Sequence, residues 1–263
     1  MADGHVNLVG GGAGVRRVLR LPIQAGASFP SSYPSRVRIN VVTMFPEYFD
    51  GPLRVSIVAR GIEAEALEIE LIDLREHGLG KHRQLDDSPF GGGPGMVMMI
   101  EPLAAALQPL GGTQRILFTP VGAPLTQETL DRWAALPEVT FVCGRFEGVD
   151  ERVIEHFIDE ESSVGDFVLA GGEVAAALAI EGIARLLPGV VGNPESTESE
   201  SFRHGLLEEP VYTRPADYRG WEVPQILLSG DHGRIEEWRQ DQRLLRTRER
   251  RPDLLPDGET PDS

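Results

Sequence analysis

Three short stretches carry the residue types that chemistry beside a ligand needs. Ser163 to Glu173 reads Ser-Val-Gly-Asp-Phe-Val-Leu-Ala-Gly-Gly-Glu. Val164, Phe167, Val168 and Leu169 are expected to form a short buried strand, ended by Gly171 and Gly172, with Glu173 opening an alanine-rich helix. Paired glycines at a strand's carboxyl end let backbone approach a ligand with no Cβ in the way. The same layout recurs in the apolar run Val139 to Cys143, followed by Gly144-Arg145-Phe146-Glu147-Gly148 and another helix. A plainer version is Ile116-Leu117-Phe118 followed by Thr119-Pro120-Val121-Gly122. Open α/β sheets bind ligands outside the carboxyl ends of their strands, so three such ends point to one pocket. Taken singly, each is an ordinary strand-to-helix turn; the repetition argues for a site.

The elements that must position these loops are read from periodicity. Ordered sequence is expected from Val37, with a strand over Arg38 to Val42, a helix over Val55 to Ala66 and a strand over Leu67 to Leu74. A long polar and glycine-rich loop then runs from Arg75 to Gly95, through Lys81-His82-Arg83 and Phe90-Gly91-Gly92-Gly93-Pro94-Gly95. Loops of that length inside a compact domain are functional or disordered. Leu103 to Leu107 reads as helix, and Glu173 to Leu187 as a longer one that Pro188 stops, with Arg185 near its end.

Composition limits the function classes. With 263 residues, 41% of them hydrophobic, the chain can build one large core or a large and a small one, and no apolar run is long enough to span a bilayer. The formal charge of −16 argues against indiscriminate binding to nucleic acid but not against a local basic surface. Lys81 is the sole lysine, so the positive charge is nearly all arginine, which suits bidentate phosphate contacts and base stacking. One cysteine, Cys143, in an apolar run, excludes disulfides and indicates a reducing, cytoplasmic setting. In the first 36 residues, Gly10 to Gly14 invites a dinucleotide-binding reading, but the G-x-G-x-x-G spacing is not met and Pro22, Pro30 and Pro34 break up the next residues. That segment reads as a mobile extension or an upstream start site, without a convincing secretory signal.

Beyond Pro188 the sequence changes character. Gly192 to Ser201 is polar and acidic, as a linker is. Tyr212, Tyr218 and Trp221 fall in a proline-spaced region, and Gly233 to Arg251 is expected to be a helix with seven arginines against four acids. A solvated helix face accounts for that charge as well as an RNA-contacting one does.

Several long motifs, in one order from about Val37 to Leu254, resemble the bacterial tRNA (guanine-N1)-methyltransferases of the SPOUT superfamily. They are Met44-Phe45-Pro46-Glu47, Asp86 to Met96, Val142 to Arg152, Ser163 to Glu173, Pro188-Gly189-Val190, Tyr212-Thr213-Arg214-Pro215, and Val223-Pro224 to Ser229-Gly230. The resemblance implies an α/β fold with a SPOUT-type parallel sheet and a deep trefoil knot, plus a small, mostly helical carboxyl-terminal domain. It divides the chain into a disordered extension (1–36), a cofactor-binding catalytic domain (37–192), a linker (193–204) and a tRNA-binding domain (205–263). It also implies S-adenosylmethionine held in a bent shape, with a shell of Phe90, Thr119, Pro120, Gly144, Phe146, Glu147, Ser163, Val164, Gly165, Phe167, Leu169, Gly171 and Gly172. Family members are homodimers with sites built across the interface. They methylate N1 of the guanosine at tRNA position 37, with magnesium in support.

N1 of neutral guanine carries a proton, so a carboxylate must remove it and a cation or donor must stabilise charge developing at O6. The family's arginine matches Arg185, which otherwise reads as a partner of its helix dipole. The family's base is an aspartate; here the matching position is Glu200, in Glu198-Ser199-Glu200-Ser201-Phe202. Glutamate is an equivalent base by its ordinary pKa, but its extra methylene moves the oxygens. The expected function is therefore methylation of guanosine-37 N1 in tRNA. The alternative is a tRNA-binding dimer whose chemistry is weakened or lost through Glu200. A SPOUT enzyme acting on another RNA and a nicotinamide oxidoreductase stand further off.

Overall fold

The computed structural model describes residues 7–9, 16–18, 33–192, 200–203 and 205–255, the first two stretches as backbone alone. The chain divides into two compact units, residues 1–192 and 193–263.

The first unit is built on β1 (Asn7–Val9), β2 (Arg16–Val18), β3 (Val37–Thr43), β4 (Leu67–Asp73), β7 (Gln114–Pro124), β8 (Glu138–Cys143) and β9 (Glu160–Ser163). They form one sheet in the order β1-β2-β4-β3-β8-β7-β9. The five strands from β4 to β9 in that order are parallel, and the β1–β2 pair joins the β4 edge antiparallel. β5 (Asp86–Asp87) and β6 (Val97–Met98) pair separately, inside and just beyond the expected 75–95 loop. The helices are α1 (Ser56–Glu63), α2 (Ile100–Leu107), α3 (Gln127–Ala134), α4 (Glu151–Phe157) and α5 (Glu173–Ala184).

Central parallel strands need both faces covered, and two buried clusters do this. Ile39, Val41, Ile69, Phe118, Trp133 and Phe141 form one with the inner faces of α1, α3 and α5. Val42, Leu103, Leu107, Leu117, Val142 and Val153 form the other with α2 and α4. Periodicity does not anticipate α3; the Thr126 side chain caps it by accepting from Thr129 N at 3.2 Å.

The structure corrects the sequence reading in three places. The strand expected over Val164 to Leu169 lies one step upstream, at β9, and Phe167, Val168 and Leu169 are exposed. β7 runs on through Thr119–Gly122, in place of the expected loop, with a break of register between Phe118 and Ala123. Residues 7–9 and 16–18 of the expected disordered extension are strands; the rest of 1–32 lies outside the described residues. The linker reading falls on residues of which only 200–203 are described.

The second unit contains a two-stranded hairpin, β10 (Asp217–Tyr218) and β11 (Trp221–Glu222), with α6 (Gln225–Leu228) and α7 (His232–Arg250). The seven expected arginines are not one solvated face. Arg243 Nε donates to Glu209 at 2.6 Å, Arg239 lies 3.5 Å from the same carboxylate, and Arg246 donates to the Glu208 carbonyl at 3.2 Å. Burial is the largest single influence on Glu209 and opposes its charge, yet the bond from Arg243, a backbone hydrogen bond and the charges of Arg243 and Arg239 together hold its carboxyl below the ordinary range.

Candidate active site

Thr43 and Cys143 end neighbouring parallel strands, and Phe118 marks the point where the next strand breaks register. The loops after β8 and β9 and the distal part of β7 enclose a cavity of about 360 Å³. Its lining includes Thr119, Pro120, Gly144, Phe146, Glu147, Ser163, Val164, Gly165, Phe167, Leu169, Gly171 and Gly172, so the structure brings together every expected shell residue except Phe90. Phe90 is 99% exposed, outside the cavity, on a loop whose Gly91, Gly92, Gly93 and Gly95 all have positive φ.

Backbone approach explains the glycine pair. Gly172 N donates to the Gly144 carbonyl at 3.0 Å, and a Cβ on Gly172 would stand 2.8 Å from Cys143 Cα, which cannot yield as a side chain could. A Cβ on Gly171 would land on the Arg145 guanidinium and the Glu173 carboxylate. At Gly144 a Cβ meets only ordinary contacts at 3.6 Å, so packing within the chain does not demand glycine there. Phe146 has φ +60, which strains a bulky side chain, and it stands half-exposed in the cavity wall. Strain of this kind persists where surrounding structure overdetermines it; here the flanking Glu147 N donates to Met96 O at 2.9 Å.

Sequence reasoning gives Arg145 and Glu173 no role, yet they tie the loops together. Glu173 is 1% exposed at the start of α5. It pairs with the Arg145 guanidinium at 2.9 Å, accepts from Arg145 Nε at 3.1 Å and accepts from Thr43 Oγ1 at 2.9 Å. The Arg145 guanidinium also lies 4.5 Å from the centre of the Phe45 ring. The ends of β3 and β8 and the start of α5 thus meet at one buried ion pair. Their signal in the sequence is position alone: each lies in a motif beside a glycine. Burial, and secondarily the neighbouring Glu173 charge, push the Cys143 thiol well above its ordinary value, so Cys143 is a packing residue.

Arg185 is half-buried and caps the carboxyl end of α5, as its sequence position implies, its N–H donating to Glu181 O at 3.2 Å. Glu200 belongs to the second unit; it is half-buried, and its carbonyl accepts from Arg203 N at 3.2 Å. Among the described residues no group of three His, Cys, Asp or Glu is placed to hold a metal ion.

The cavity fits a cofactor of nucleoside size: backbone amides and carbonyls at its glycines can read a heterocycle's edge, while Phe167, Leu169 and Pro120 supply apolar walls. Comparison with known proteins agrees. The family described as "tRNA (Guanine-1)-methyltransferase TrmD" matches residues 37–257. A "tRNA (guanine-N(1)-)-methyltransferase" of Gloeobacter violaceus is 52% identical over 224 residues, covering 84% of this chain and 99% of that protein. One of Nocardia farcinica is 48% identical over 226 residues (84% and 97%), and one of Thermosynechococcus vestitus 47% over 222 (83% and 94%). The match spans β3 to β9, every glycine loop of the cavity and α7, and the chain belongs to the tRNA (guanine-N1)-methyltransferase family.

Proposed function

We propose that this protein methylates N1 of the guanosine at position 37 of tRNA, using S-adenosylmethionine bound in the cavity at the carboxyl ends of β7, β8 and β9. The observation that carries this reading is the convergence of the loops after β8 and β9 and the distal part of β7 on one cavity in a chain of this family. Thr119, Pro120, Gly144, Phe146, Glu147, Ser163, Val164, Gly165, Phe167, Leu169, Gly171 and Gly172 hold the cofactor. When bound, S-adenosylmethionine supplies an electrophilic methyl group on a positively charged sulfur.

The chain's own residues do the rest. Glu200 removes the N1 proton, making the ring nitrogen a nucleophile, and Arg185 stabilises the negative charge that builds at O6. A deep trefoil knot goes with this reading. What supports it is the family match, together with the close backbone approach of the Gly172 loop to Cys143. A homodimer goes with it too. Val174 and Leu178, one turn apart on α5, are exposed beside the cavity lining, and Phe90 has no cover among the described residues. Cytoplasmic placement is supported by the buried free thiol of Cys143, and no helix among the described residues is long and apolar enough to cross a membrane. The reading in which catalysis has been lost finds no support in the family match, because relatives matched nearly end to end carry the enzyme's name.

Incubation with total unmodified tRNA, followed by mapping of the modified nucleotide, tests the function: methyl on N1 of guanosine-37 is expected, and methyl elsewhere or none refutes it. Glu200→Gln keeps shape and removes the base, so turnover should fall on the order of a hundredfold or more while cofactor affinity holds. Glu200→Asp should keep activity. Near-normal turnover by Glu200→Gln would move the base elsewhere.

A further inference from the structure

Tyr218 and Trp221 are Cα partners across the β10–β11 hairpin and share one face of it. Their ring centroids lie 5.9 Å apart at 52°, and they are 49% and 73% exposed. The guanidinium of Arg219 lies 5.1 Å from the Tyr218 ring centre. Asp217 and Glu222, the other pair, alternate to the opposite face, and Asp217 Oδ1 is engaged by Gly220 N at 2.8 Å. The aromatic face is thus free of the hairpin's own acids in a chain of charge −16.

The turn makes the arrangement more telling. Arg219 and Gly220 have φ of +59° and +84°, the two-residue loop with both central residues left-handed, in which asparagine followed by glycine is the unstrained choice. Arginine in the first of those positions costs stability and brings a cation against the aromatic pair. We infer that Tyr218, Trp221 and Arg219 form a stacking platform for an unpaired base of the RNA substrate, an inference that rests on tRNA being that substrate. Aromatic faces with a neighbouring guanidinium are the surface on which single-stranded bases stack, each base having a π-face whatever its sequence. The platform adds affinity without sequence preference, and the guanidinium adds one phosphate contact.

Binding of unmodified tRNA to the full chain is measured across a salt series, with Trp221 emission as a second readout. Trp133 is fully buried and Trp238 half-buried, so the response to added RNA comes chiefly from the exposed indole. Trp221→Ala should weaken tRNA binding about five- to a hundredfold with an unchanged salt slope, because stacking releases no counterions. Trp221→Phe should retain most of the affinity. Arg219→Asn suits the turn, so it should fold at least as well as the native chain, yet flatten the salt slope by about one unit. Cofactor affinity should not move in any of them. Native affinity in Trp221→Ala together with a native slope in Arg219→Asn would overturn the platform, and would leave the face to a protein partner. If Trp221→Ala does not fold, the native chain's emission response and the Arg219→Asn slope decide alone. Failure of the native protein to bind tRNA would instead overturn the functional reading beneath.

Discussion

The two ends of the same parallel sheet are built on opposite principles. At the amino ends of β3, β4, β7 and β8 polar side chains pair with one another, although the buried Asn40 Oδ1 has no hydrogen-bond partner. Glu68 accepts from Arg36 and from Arg38, Asn40 Nδ2 donates to Glu138 at 2.9 Å and to Thr140 at 3.2 Å, and Thr113 and Thr140 share a bond at 2.6 Å. At the carboxyl ends glycine backbone and apolar side chains face an open cavity; Val168 is 83% exposed there. A protein with no ligand to hold would gain by reversing this, covering the apolar groups and leaving the charges in water. The first end is organised for stability, the second for a partner, and the Arg145–Glu173 pair is where the second end borrows the method of the first.

Substitutions at the two ends should therefore separate activity from stability. The largest effect is expected from Gly172→Val. Its added atoms collide with the Cys143 backbone, so cofactor affinity, read by calorimetry, should fall more than about a hundredfold. Unchanged affinity in a folded variant would remove the cavity from the reaction. Next is Glu173→Gln, which leaves Arg145 without its buried counter-charge. Removing one partner of a buried pair costs about 3 kcal/mol, and Arg145 is partly exposed, so a loss nearer about 2 kcal/mol in denaturant unfolding is expected. It should come with weakened cofactor binding, since the pair ties loop to loop. A stability loss with intact cofactor affinity would make the pair purely structural. At the opposite end, Glu68→Gln should cost about 1 kcal/mol, its arginine partners being half in water, and leave turnover unchanged.

The smallest effect is a pH dependence. The Arg132 side chain, donating two bonds, outweighs burial and holds the Glu160 carboxyl below its ordinary value, with Trp133 Nε1 also donating to it. A carboxyl depressed in the folded state contributes stability above its unfolded pKa of about 4.3 and loses it as pH falls through the lower folded value. Thermal unfolding should thus be insensitive to Glu160 between about pH 7 and 5 and decline below about pH 4. Glu160→Gln should flatten that decline, and an unaltered acid limb would assign it to other carboxylates.

What the sequence determined by itself was local or repeated. Apolar runs at Val139–Cys143 and Ile116–Phe118 became strands because β-branched and aromatic residues flanked by glycine loops have few other uses. Gly171 and Gly172 were legible because only a backbone constraint explains paired glycines there, and the motifs carried the family. What the tertiary structure decided was which way groups face and what they meet. The run Val164 to Leu169 reads as a buried strand along the chain, since an apolar residue facing a ligand cavity and one facing a core look alike there. The arginines of α7 read as one charged face, but segment 208–209, distant in sequence, engages Arg243 and Arg246. Glu173 and Arg145 lie 28 residues apart, and the exposed Tyr218–Trp221 face depends on a hairpin register. Pairing and exposure are relations between segments, set when the chain packs, and no residue carries them alone.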